Sequence, residues 1–123
     1  MTIYALSSGL GTSGIAVIRV SGPDTKNIIK SIVKGKLPSP RVATLKKIHK
    51  FNTNDLIDEG VLLWFPGPKS YTGEDMAEFH VHGSRAVIET LISSISKIGN
   101  CRLAEPGEFT KIAFQNGKIN LLK

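Results

Sequence analysis

Between Phe65 and Gly83 the chain reads F-P-G-P-K-S-Y-T-G-E-D-M-A-E-F-H-V-H-G, and this stretch restricts the fold more than any other. Pro66, Gly67, Pro68 and Gly73 continue neither strand nor helix, so its first half is a shaped loop. From Asp75 the residues alternate. Ala77, Phe79 and Val81 point one way, and Met76, Glu78, His80 and His82 the other. A period of two predicts a strand with one face on a core. Its other face carries a carboxylate and two imidazoles directly after a rigid loop. That face is either simply solvated or built to bind a ligand.

A second strand is predicted at Ile15-Ala16-Val17-Ile18-Arg19-Val20, a β-branched run. It follows Gly9-Leu10-Gly11-Thr12-Ser13-Gly14, a literal G-x-G-x-x-G. The dinucleotide-binding fingerprint needs a helix after the glycines and an acid about twenty residues on. Neither is present, so a loop that admits close backbone approach is the better reading. Both faces of the second strand are apolar, which marks it as central, yet Arg19 lies within it. An arginine is almost never buried alone. Leaving one uncompensated costs roughly 3–5 kcal/mol. Arg19 therefore sits at a solvated strand end or meets a carboxylate, either an internal one such as Glu78 or one on a ligand.

The remaining elements follow from periodicity and punctuation. Thr2 to Leu6 reads as a short strand. Ser21-Gly22-Pro23-Asp24 reads as a helix start with a serine or glycine cap. Ile28, Ile29, Ile32 and Val33 repeat at helical spacing up to Gly35. Val42 to Phe51 and Val61 to Phe65 are candidate strands of a hairpin, turned at Asn52 to Asp55. From Ser84 a helix carries Val87, Ile88, Leu91, Ile92, Ile95 and Ile98 in one stripe. Cys101 to Leu103 is a short strand. Pro106-Gly107-Glu108 opens a third helix with Phe109, Ile112 and Ala113 inward. The order predicts an α+β two-layer sandwich, a mixed or antiparallel sheet with helices on one side.

Charge and composition narrow the function classes. The 123 residues suffice for one domain with a modest core. No apolar run approaches the ~20 residues of a membrane span. No basic-then-apolar leader opens the chain and Cys101 is the single cysteine, which together predict a reducing, cytoplasmic setting. The formal charge of +6 is uneven: Lys26, Lys30, Lys34, Lys36, Arg41, Lys46, Lys47 and Lys50 crowd a segment that no acid interrupts after Asp24. Such a segment is either a solvated surface or a polyanion-binding one. No G-x-x-x-x-G-K-[ST] loop and no serine nucleophile elbow occur. Glu78, His80 and His82 are conceivable metal ligands, but alternate residues of one strand splay apart and no fourth ligand is evident, so no metal or catalytic residue is assigned.

Several segments together resemble one family. They are T-I-Y-A-L at the start, G-I-A-V-I-R-V-S-G at 14–22, F-P-G-P-K-S-Y-T-G-E-D at 65–75, E-F-H-V-H-G at 78–83, and A-E-P-G-E-F-T-K-I-A-F-Q-N-G-K-I-N-L at 104–121. The chain is identified on these as an N-terminal domain of the bacterial tRNA modification GTPases of the MnmE (TrmE) type. The resemblance implies a tetrahydrofolate-binding and dimerisation domain over 1–118. It makes 119–123 the truncated start of a helical domain. It also implies a fold similar to the folate-binding domain of glycine-cleavage aminomethyltransferases.

The resemblance further implies a homodimer that binds 5-formyltetrahydrofolate or a related tetrahydrofolate as a one-carbon source. Full-length members add a G domain using GTP, magnesium and potassium. They act with an FAD-dependent partner, called GidA or MnmG, on the wobble uridine of tRNA. The family's folate contacts map to Arg19, Glu78 and Lys118. A glutamate suits the two-donor edge of a pterin, and the cations suit carbonyl or carboxylate groups. This chain departs from the pattern at Ser7-Ser8, where a Thr-Pro pair is usual, and at Ser84, where a second glycine is usual. It also lacks the family's C-terminal folate contact, its phosphate-binding loop and its C-terminal cysteine. Hydrolysis is therefore not expected of these residues alone, and the alternative expectation is a dimerisation and tRNA-docking scaffold with little folate binding.

Overall fold

A computed structural model describes residues 1–7 and 14–119. The expectations placed on the glycine loop at 9–13 and on the tail at 120–123 lie outside the described residues. Nine elements follow the predicted order: β1 Thr2–Leu6, β2 Ile15–Ser21, α1 Thr25–Ile32, β3 Thr44–His49, β4 Leu56–Phe65, β5 Met76–His82, α2 Arg85–Ser96, β6 Cys101–Leu103 and α3 Glu108–Gln115. The strands form one sheet in the order β3-β4-β5-β2-β1-β6. Every neighbouring pair is antiparallel except β1 and β6. This is the mixed-sheet α+β architecture that the element order predicts.

The strands alternate between a covered face and a second face. Ala16, Ile18 and Val20 of β2, Leu62 and Trp64 of β4, and Ala77, Phe79 and Val81 of β5 are all buried on the first. Ile28, Ile29 and Ile32 of α1 and Leu91 and Ile95 of α2 close over them in one apolar cluster. Each such side chain contributes roughly 1.5–3 kcal/mol when withdrawn from water. The second face carries Arg19, Ser21, Met76, Glu78 and His80. The loop between β4 and β5 lies over its Ser21 and Met76 end.

Three element boundaries differ from expectation. Ser21 does not cap α1; it remains in β2 and bonds the loop, and α1 begins after Asp24, which makes no side-chain cap bond. That helix ends at Ile32, before Gly35, because Val33 turns extended and bridges Ile48 of the hairpin. β4 starts at Leu56, five residues earlier than Val61, since Asp58, Glu59 and Gly60 still pair with Ile48, Lys47 and Lys46 of β3. In contrast, α2 starts where expected, with Ser84 as its cap, accepting from the Val87 amide.

Candidate functional site

Antiparallel pairing of β2 with β5 sets Arg19 directly opposite Glu78. On the second face of the sheet the guanidinium reaches the carboxylate. Arg19 Nε and Nη2 donate to Glu78 Oε2 at 3.2 and 3.0 Å. His80 Nε2 lies 3.0 Å from Glu78 Oε1. The cation in the apolar strand thus meets an internal carboxylate, Glu78, one of the alternatives open to it. The pair stays reachable, with 30% of the Arg19 side chain and 18% of the Glu78 side chain exposed.

Two aromatic rings flank it. The Arg19 guanidinium carbon is 5.9 Å from the centroids of both Tyr71 and Phe109, close enough for a cation–π attraction. Tyr71 belongs to the β4–β5 loop and Phe109 to α3. Their elements are joined by a 3.0 Å contact between the Tyr71 and Thr110 hydroxyls. Neither ring was assigned to the site from the sequence. Tyr71 sits inside the most restrictive stretch of the chain, which was its one signal.

The loop is stitched to the sheet beneath it. Thr72 and Ser21, both buried, share a 2.8 Å hydroxyl contact. Ser21 also donates to Glu74 Oε1 at 3.0 Å. Thr25 Oγ1 bonds the Gly22 and Asp75 carbonyls. Met76, which alternation assigned to the polar face, is buried because its sulfur packs under the Thr72 amide. The segment after α3 grips the same loop: Asn116 Nδ2 donates to Thr72 O and Lys118 Nζ to Pro68 O, each at 2.8 Å. The fold therefore brings Arg19 and Glu78 into direct contact. It ties Lys118 to the loop that roofs them.

His82 turns elsewhere. Its amide and Nδ1 lie 2.8 and 2.9 Å from the Asp58 carboxylate on β4. Burial alone would raise the Asp58 carboxyl, but bonds from the His82 amide, the His82 ring and the Glu59 amide outweigh it and hold the group below its ordinary range. Glu78, His80 and His82 consequently do not converge, and among the described residues no group of three or more such side chains could hold a metal. Beside His80 the second face opens into a shallow cavity of about 260 Å³, walled in part by Ile15, Leu45, Val61 and His82.

The chemistry on offer is recognition. A carboxylate has about four acceptor positions. Arg19 takes two at Glu78 and His80 faces a third, so an incoming donor edge fills the fourth or displaces the His80 ring. Flat rings beside a guanidinium suit a planar heterocycle.

A family model described as GTP-binding protein TrmE N-terminus matches residues 2–118. A tRNA modification GTPase MnmE from Pelagibacter ubique is 73% identical over 123 residues, covering 100% of this chain and 28% of that protein. One of the same description from Brucella anthropi is 52% identical, covering 98% and 27%. A 5-taurinomethyluridine-[tRNA] synthase subunit GTPB3, mitochondrial, from Danio rerio is 48% identical, covering 98% and 24%. The chain spans about a quarter of the length of these curated relatives.

Proposed function

The chain belongs to the family of TrmE N-terminal domains, and from that premise we propose that it is the folate-binding, pairing module of a tRNA modification GTPase. In this reading Glu78 receives the donor edge of 5-formyltetrahydrofolate or a related tetrahydrofolate. Arg19 holds the carboxylate in place, Tyr71 and Phe109 flank the ring system, and Lys118 serves the more distant carbonyl or carboxylate groups. When bound, the folate would supply a one-carbon unit. The GTP, magnesium and potassium sites, the FAD-dependent GidA/MnmG-type partner and the tRNA belong to the longer cytoplasmic protein of which this would be the first domain. Two copies pair across the open half of the second sheet face.

The observation that carries the reading is the part-buried but solvent-reachable Arg19–Glu78 pair, whose arginine is flanked by two rings and stands in an otherwise largely apolar strand. A purely structural ion pair has no need of an aromatic roof. Calorimetric titration of the chain with 5-formyltetrahydrofolate tests it. Glu78→Gln is expected to weaken binding by roughly 1–3 kcal/mol, the scale of a hydrogen bond to a charged group. If Glu78→Gln and Arg19→Ala both bind as the parent chain does, the site is assigned wrongly.

A further inference from the structure

On the helix side of the sheet, away from Arg19 and Glu78, the β3–β4 turn and α2 enclose a cleft of about 360 Å³. Lys50 and Lys97 stand in its wall with the hydroxyls of Thr53, Thr90 and Ser93, and Phe51 forms an apolar side. The turn is fixed to the helix, because the Phe51 amide donates to Ser94 Oγ at 3.2 Å. The lysine-rich segment then runs up to this cleft. Lys34 Nζ bonds Asn54 of the same turn. Lys46 Nζ reaches the Lys36 carbonyl at 3.1 Å. The bridge between Val33 and Ile48 holds that part of the chain against the hairpin. Lys34 thus meets the turn that carries Lys50, Lys46 meets the backbone of Lys36, and Lys97, 47 positions beyond Lys50 in the sequence, stands with Lys50 in the cleft wall. Two carboxylates lie nearby: Asp55 in the turn and Glu89 in the cleft wall, the latter paired with Arg85 at 3.4 Å.

We propose that this cleft and its lysine rim are a seat for the phosphate backbone of an RNA. Ammonium groups act as point charges toward phosphate. Hydroxyls donate to phosphate oxygens and position a backbone without reading sequence. A concave seat lined by hydroxyls accepts a single phosphate of a chain better than it meets a flat lipid surface. One ring in the wall provides a stacking face for one base. The surface lies on the other side of the sheet from the proposed folate site and does not depend on it.

Fluorescence anisotropy of a labelled RNA hairpin, titrated with the full chain at about 50 mM and 200 mM salt, tests the proposal. Binding is expected to be weak and indifferent to sequence, and to fall at least tenfold between the two salt concentrations. The double variant Lys50→Glu, Lys97→Glu should lose tenfold or more at the lower salt, whereas Arg19→Ala should match the parent. A milder Lys50→Ala, Lys97→Ala pair, checked by circular dichroism, covers the case in which the charge reversals disturb folding, and it too should weaken binding. No RNA binding at 50 mM salt overturns the proposal, as does full binding by both double variants. It is also overturned if phosphatidylserine vesicles, or inorganic phosphate alone, compete away the RNA at matched phosphate concentration.

Discussion

Glu108 shows how a single residue can join two elements. Its Oε1 accepts from Arg102 Nη1 at 2.8 Å and from the Glu105 amide at 2.9 Å, while Oε2 accepts from Arg102 Nη2 at 2.5 Å. The bidentate pair ties β6 to the first turn of α3, where an acid also meets the positive end of the helix dipole. The Arg102 bond, followed by the Glu105 amide, holds the carboxyl at about 2 in place of 4.5. A depressed folded-state value means that the stabilisation is present above the unfolded value and lost as the pH falls from about 4.5 to about 2. Glu108→Gln should therefore melt below the parent chain at pH 7, and the gap should close across that window. Parallel pH titrations of thermal stability that stay a constant distance apart would show that the pair contributes nothing. Cys101 is a contrasting residue: burial pushes its thiol up, and it donates to the Ile95 and Ile98 carbonyls. The side chain is partly buried, packed against the apolar cluster.

At the scale of elements, β4 is where local sequence misleads. Asp58, Glu59 and Gly60 are depleted in strands, so local propensity starts the strand at Val61. Its first half persists for reasons no local window contains. The Asp58 carboxylate is satisfied across the sheet by His82. Gly60 lies so close to β5 that a Cβ there would stand 2.4 Å from the His80 carbonyl oxygen. Gly60→Ala must push the strands apart and should cost roughly 1–3 kcal/mol in urea unfolding, the range for overpacking. A neutral result would mean that β4 slides freely at this point. The loop over the second face makes the complementary case. Ser21→Ala leaves a buried Thr72 hydroxyl without its 2.8 Å partner, and should cost roughly 1–3 kcal/mol; no loss of thermal stability would mean that the stitching is idle. Period-two alternation revealed β5 and its face pattern, and the oddity of a cation in β2 singled out Arg19 with Glu78 as a possible partner. Alternation could not foresee that the loop buries Met76. Nor could it place Tyr71 and Phe109, whose positions depend on how the loop and α3 travel after their strands end.

For the whole molecule, the unequal covering of the sheet decides how it can assemble. One face is sealed by α1 and α2, while on the other the loop covers only the end nearest Ser21 and Met76. Beyond Glu78, cross-strand register sets Leu45, Val61, His80 and Val17 in one row. Leu45 is 63% exposed and Ile15, on the same face, 59%. Withdrawing two such side chains from water recovers about 1.5–3 kcal/mol apiece. Association alone costs an estimated ~4–15 kcal/mol, so these side chains support only a weak pair unless further contacts join in. If a ligand in the neighbouring Arg19–Glu78 site touches both copies, it supplies such contacts, and linkage requires ligand and pairing to strengthen each other equally. Light scattering at micromolar concentration should then show a mass between one chain and two that moves toward two on adding 5-formyltetrahydrofolate. Leu45→Glu should return the mass to a single chain and weaken folate binding along with it. A single-chain mass in the presence of saturating folate would rule out a shared cleft. Unchanged folate affinity in a monomeric Leu45→Glu variant would place the whole site within one copy.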